Sequence, residues 1–455
     1  MSLRCIKPVL QAITVIACLS SSAVGAQPAA AVGNRDLTSS DLASSDFAAF
    51  GQATYVNQYK PAFGARYSGT NSLSPNAERS YSATMTAFLG WRPWNGGELF
   101  FNPEAARGVP LSRLAGLGGL TNGELARTSG AAWTVYRARL FVRHTWNQSA
   151  DGENVASEAN QMAGRLAARR WVLTVGNLSA LDLFDDNSYA KDPRGDFLNW
   201  SLMSYGAWDY PADARGYSWG AALEYVHDAW AFRAGRFMMP AESNGLRLNA
   251  QIFRSYGDQV ELVRMHEFAQ RPGKMSLLLF HTRAQMGSFR ESINQAQNSG
   301  AVPDLAATRQ SRDKWGFGYS IEQSFSPSIG GFMRASWNNG QAETFAFTEI
   351  DRSISAGLVI DGHTWQRPKD RIGLALVRNG VSGSHRDYLA AGGNGFFLGD
   401  GALRYRSEHI IESFYRWQIE RRLALSANLQ WISNPAYNAD RGPVRALGVR
   451  AHVEF

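Results

Sequence analysis

Residues 446–455 read ALGVRAHVEF. Leu447, Val449, Ala451, Val453 and Phe455 share one parity, and Gly448, Arg450, His452 and Glu454 the other. Such alternation puts an apolar set and a polar set on opposite faces of a strand. The same pattern recurs at 423–431, 411–419, 315–322, 217–225 and 81–91. Each run is about ten residues, the length a tilted strand needs to cross a bilayer. Short joins at 168–170, 227–229, 324–328 and 420–422 alternate with long ones at 178–216, 286–312 and 379–407. Transmembrane barrels combine short periplasmic turns with long external loops in this way. Trp91, Trp94, Trp417 and Trp431 stand at strand ends, where a barrel carries its two aromatic girdles.

The predicted fold is therefore all-β, a transmembrane antiparallel β-barrel. About seventeen strand candidates can be counted, starting with 50–58, whereas single-chain bacterial barrels use even numbers. Sixteen strands are expected, with 50–58 or 97–104 folded inward unless one strand has been overlooked. Closure pairs the last strand with the first and leaves no edge, so the chain can end on a strand position.

Composition agrees with a large sheet protein: 455 residues, 44% hydrophobic and 19% charged, with 44 Gly, 24 Phe, 16 Tyr and 14 Trp. The net charge of +7 is spread thinly, without a dense basic block, which argues against a nucleic-acid partner. At the N-terminus, Arg4 and Lys7 precede an apolar run and the small residues Val24-Gly25-Ala26, the pattern of a cleavable secretory signal. The expected organisation is a signal peptide at 1–26, an extension at 27–49 and a barrel at 50–455. A competing reading of Val15-Ile16-Ala17-Cys18 is a lipobox that would leave a lipid on Cys18. Both cysteines, Cys5 and Cys18, precede the Ala26 cut, so a chain cleaved there has neither a disulfide nor a thiol metal site. Losing Arg4 and Lys7 lowers the formal charge from +7 to +5. No later stretch has the roughly 18 continuous apolar residues of a membrane helix.

The residues also resemble a known family. Gly51-Gln52-Ala53-Thr54-Tyr55-Val56, Tyr67-Ser68-Gly69-Thr70-Asn71-Ser72-Leu73 and Asn102-Pro103-Glu104 are similar to the opening of carbohydrate-selective porins of the OprB type. The likeness continues through LGGLTNGE (117–124), YRARLF (136–141), Val175-Gly176-Asn177, Asp182-Leu183-Phe184-Asp185 and DFLNW (196–200), and NPAYNADRGPV (434–444) is its most specific piece. It covers roughly 50–455 and implies a sixteen-stranded outer-membrane channel for glucose-like sugars.

A sugar channel needs planar hydrogen-bonding groups and aromatic faces, without metal, cofactor or nucleophile. In 134–147, an alternation with Tyr136, Ala138, Leu140 and Val142 facing lipid directs Arg137, Arg139 and Arg143 into the lumen. Three inward guanidiniums require hydration or pairing. They form a selectivity ladder, and bracing the wall against carboxylates on neighbouring strands is a reading that does not exclude it. The long loop 178–216 interleaves Asp182, Asp185, Asp186, Asn187, Tyr189, Asp192, Asp196 and Asn199 with Trp200, Trp208 and Tyr210. Asp182, Asp185, Asn199 and Trp200 join the arginines as candidate pore-lining or substrate-contacting residues. Two alternatives stand beside this: calcium held by Asp182, Asp185 and Asp186, and Trp200 and Trp208 packing the loop rather than meeting sugar. Residues 108–129 form a second constriction candidate or an external cap, with Leu111 and Leu114 spaced for a short helix.

Enzyme readings find no support. The eight His are scattered, and neither an HExxH motif, a G-x-S-x-G elbow nor a P-loop is present. GGNGFFLGDG (392–401) reads as a flexible external loop. The expected function is passive, sugar-selective diffusion through a constricted, arginine-lined channel. A general or anion-preferring porin is the alternative, and a barrel-based adhesin the reading from another class. The expected partners are small sugars, outer-membrane lipid and lipopolysaccharide, and the barrel-assembly machinery, with the chain a monomer in the outer membrane.

Overall fold

The computed structural model describes residues 45–125 and 130–455. The signal-peptide and lipidation readings, and the end of the 108–129 segment, fall outside these residues. Strands β1 (Phe47–Lys60), β2 (Glu78–Trp94), β3 (Gly97–Val109) and β4 (Thr134–Asn147) are followed by a small hairpin, β5 (Gly152–Val155) and β6 (Gly164–Ala167). The remaining strands run from β7 (Arg169–Leu178) to β18 (Val444–Glu454). Omitting β5 and β6, sixteen antiparallel strands close into one barrel, with β1 beside both β2 and β18. Both 50–58 and 97–104 are barrel strands, so the expectation that one folds inward is corrected. The strands outside the barrel are those of the β5–β6 hairpin, which pairs only with itself. The first strand begins at Phe47 rather than residue 50.

Closure is made by main-chain pairing from Gln52↔Glu454 to Tyr59↔Leu447. Beyond the last strand, the Gly51 N–H donates to the Phe455 carbonyl (2.7 Å) and the Phe455 N–H donates back (2.9 Å). The strands alternate as predicted, β4 excepted. On β18, Leu447 and Val449 are exposed while Ala446, Gly448, Arg450 and His452 are buried. Outward Leu279, Leu358, Leu374, Leu429 and Val449 form an apolar belt that only a bilayer covers favourably. Exposed Trp91, Trp94, Trp146, Trp230 and Trp417 lie toward the short-turn end, and Trp219 toward the long-loop end.

A sixteen-stranded barrel is too wide for its own side chains to fill. Here the long loops fold inward and build the core. Phe184, Leu202, Tyr205 and Trp208 of the 179–217 loop are fully buried. An irregular backbone inside a barrel must find partners for its N–H and C=O groups, and the inward carboxylates supply them. Glu412 accepts from the N–H groups of Leu198 and Asn199, Glu322 from Ser188, and Glu261 from Asp185. Arg450 donates to the carbonyls of Asp196 (2.8 Å) and Gly195 (3.0 Å).

The described part of 108–129 also turns inward. Leu111, Leu117, Leu120 and Leu125 are buried, and Glu408 accepts from the N–H groups of Gly118 (3.0 Å) and Gly119 (2.8 Å). Leu111–Leu114 is a tight 3₁₀ turn, not an amphipathic α-helix, with left-handed φ at Ser112, Arg113 and Leu114. The 392–401 run is not a loose external loop either. Phe397 and Leu398 are buried, and their N–H groups donate to Glu349 at 2.7 and 2.9 Å.

Candidate functional site: a cavity through the barrel interior

A cavity of about 1980 Å³ occupies the barrel interior. It is larger than the roughly 300–1,000 Å³ of an enclosed small-molecule pocket. Arg421, Arg422 and Phe455 line it at the short-turn end, and Trp200, Tyr210 and Phe347 line it among the inward loops. Its wall therefore combines barrel strands with folded-in loop.

The expected arginine ladder is divided among three environments. Arg139 lines the cavity, and its Nε and terminal nitrogen donate to the two carboxylate oxygens of Asp182, both at 2.7 Å. Its guanidinium lies 5.2 Å from the Tyr217 ring centre. Arg143 points inward near the short-turn end, donating to the Asn160 carbonyl (2.9 Å) with Glu98 at 3.5 Å. Arg137 is a correction. It is exposed on the outer surface, over the outward Trp219 ring at 5.0 Å, and Tyr136, expected to face lipid, lines the cavity.

A β-bulge reverses the parity. Asn102 pairs with Arg139 but Pro103 with Arg137, so Ala138 is an extra residue on β4. Pro103 has no N–H to offer the ladder, and proline in a strand marks such irregularities. The sequence signal was present in the neighbouring strand, at Asn102-Pro103-Glu104, rather than in β4 itself.

The loop candidates also separate. Asp182 lines the cavity and accepts from the Ser179 N–H (3.0 Å), closing a capping box that fixes its position. Asp185 is buried beneath the loop, where it accepts from Arg334 Nε (3.0 Å) and the Tyr205 N–H (2.9 Å). Asp186 pairs with Lys191 and Lys274. The three carboxylates thus face different cations, which overturns the calcium alternative. No group of three or more metal-ligating side chains occurs among the described residues.

Asn199 is fully buried. It accepts from the Ser201 N–H and donates to the Gly119 carbonyl and Gln430, so it ties two loops to the wall instead of facing solute. Trp200 does face the cavity, stacked on Phe347 at 5.5 Å and 9°, with Nε1 donating to the Asn122 carbonyl (2.8 Å). Trp208 is fully buried and packs the loop.

Sequence reasoning missed several wall residues. Arg194 reaches Glu124 (2.9 Å) and Glu104 (3.4 Å), and Tyr136 donates to Glu104. Tyr217 and Phe347 also line the space. Glu104 was identifiable by its inward parity on β3. Arg194 sits on a loop with no period to read.

The chain matches the family model "Carbohydrate-selective porin, OprB family" over residues 73–455. The high-pH structure of Pseudomonas putida OprB is similar in fold, with TM-score 0.67 and 17% identity, covering 90% of this chain and 94% of that one. The outer-membrane channel DcaP of Acinetobacter baumannii superposes with TM-score 0.52 at 9% identity, covering 90% of this chain and 97% of that one. No curated protein matches the chain. A family match over most of its length, on a closed sixteen-stranded barrel, identifies this chain as a member of the carbohydrate-selective porin family of the OprB type.

Proposed function

We propose that this outer-membrane porin passes small neutral sugars, glucose-like ones in particular, by passive diffusion through a passage lined by paired arginines. The observation that carries this reading is a single cavity whose wall bears both the stacked Trp200 and Phe347 rings and charge-compensated pairs. The pairs are Arg139 with Asp182, and Arg194 with Glu104 and Glu124. Aromatic faces suit the C–H surfaces of a pyranose, and fixed ion pairs offer planar donors and acceptors to its hydroxyls. A compensated wall exerts little net pull on ions, as suits an uncharged solute.

Family and fold are those of channels, which supports a solute that is passed and not converted. The outward belt contacts outer-membrane lipid and lipopolysaccharide, insertion uses the barrel-assembly machinery, and the chain works as a monomer. A second reading, an anion-preferring passage, is favoured by one feature: Arg271, Lys369, Arg421 and Arg422 gather along the cavity at the short-turn end.

The test is flux into liposomes holding the purified protein, comparing glucose, a neutral solute of similar size and phosphate. Saturable entry that favours glucose supports the sugar passage. Equal neutral rates with phosphate favoured would replace it with the anion reading.

A further inference from the structure

Seven connections join barrel strands at the short-turn end, and six of them have two to four residues. The seventh, between β4 and β7, has 21 residues, 148–168, and contains the β5–β6 hairpin. Two residues suffice to reverse an antiparallel pair, and ordering the rest costs conformational entropy. The segment is nevertheless held tightly. Met162 is 2% exposed, seated where Gly90 has no side chain; a Cβ there would come within 2.8 Å of its sulfur. Arg92 donates to the Ala163 carbonyl (2.6 Å) and Arg143 to that of Asn160 (2.9 Å), with Glu98 within 3.7 and 3.5 Å of the two guanidiniums. These contacts bring 156–159 into the barrel mouth, where they line the cavity together with Phe455, Arg421 and Arg422.

We infer that the 148–168 hairpin is a second selectivity element, a fixed ledge that narrows the passage on the periplasmic side and limits the size of solute that leaves. The inference rests on the sugar-passage reading. The ledge offers Ala156, Ser157 and Ala159 together with Glu158 to the cavity, mostly small side chains, so it filters by bulk more than by charge. Its seat is built from Gly90, Arg92, Glu98 and Arg143, which explains an inward arginine that does not line the cavity. Solutes too wide for the ledge are held back after passing the aromatic wall.

The experiment compares the unaltered protein with a variant lacking residues 152–166 and with Met162→Glu, which keeps the hairpin but unseats it. Single-channel conductance is measured in planar bilayers, and entry of glucose and of a neutral trisaccharide in liposomes. Heat-modifiable gel mobility reports whether each barrel has folded. The expected result is higher conductance and a several-fold gain in trisaccharide entry that exceeds the gain for glucose. If the shortened variant does not fold, Met162→Glu alone decides. Unchanged conductance and an unchanged size limit in a folded variant would overturn the ledge. The glucose preference of the unaltered protein is read separately, so failure of the sugar reading is distinguishable from failure of the ledge.

Discussion

The Phe455 ring lies against Gly51, in the space a side chain there would need: a Cβ on Gly51 would come within 2.2 Å of the ring. The two residues also exchange main-chain hydrogen bonds where the first and last strands meet. Gly51→Val is therefore expected to force ring and backbone apart at the seam, costing about 1–3 kcal/mol as an overpacked site does. Gel mobility after graded heating should show the variant barrel opening at a lower temperature. Phe455→Ala in the same background should restore part of the loss.

Arg139 and Asp182 neutralise each other on the cavity wall. Asp182→Asn leaves a guanidinium without its counter-charge, and the reversal potential in a salt gradient should move toward anion preference. Arg139→Gln should move it toward cations. The double variant should return close to the unaltered protein, because the two changes cancel in net charge on the wall.

Trp200 stacks on Phe347, and both rings border the cavity. Trp200→Ala should raise the glucose concentration needed for half-saturation by up to about tenfold, since an aromatic contact is worth about 0.5–1.5 kcal/mol. Entry of a non-sugar solute of equal size should not fall.

Arg137 stands outside the barrel over Trp219. Arg137→Ala should therefore leave ion selectivity and glucose entry unchanged. A change in either, measured in the same liposomes, would contradict the bulged register of β4.

Where the long loops seat above the barrel, Asp351 faces the ring of His385 at 3.0 Å, with the Ser382 N–H also donating to it (2.8 Å). Burial alone would push the Asp351 carboxyl up. The neighbouring His385 ring together with these hydrogen bonds outweighs it and holds the carboxyl below its usual value. A depressed carboxylate gives stability that is fully present above its unfolded pKa of about 3.9 and lost as pH falls through the depressed folded value. Hydrogen exchange in the helix Gly383–Ala390 should therefore stay slow from neutral pH to about 4 and accelerate only in stronger acid. Asp351→Asn should exchange faster across that range.

The sequence by itself determined the wall of this molecule. Strand alternation, the contrast of short and long joins, and a final strand over Val444–Glu454 follow from residue parity and turn length, which are local. The candidate site was only partly legible. Arg139, Asp182 and Trp200 line the cavity, whereas Arg137 turns outward because Pro103 on the neighbouring strand imposes a bulge that β4 does not reveal. Asp185 and Asn199 look like solute contacts along the chain but are spent holding loops, since their wall partners Arg334 and Gln430 lie on strands distant in sequence. Tertiary structure decided what fills the barrel. Loop backbone enters the lumen only where inward carboxylates such as Glu412 and Glu322 meet its N–H groups, and no local pattern encodes a pairing between residues more than a hundred positions apart.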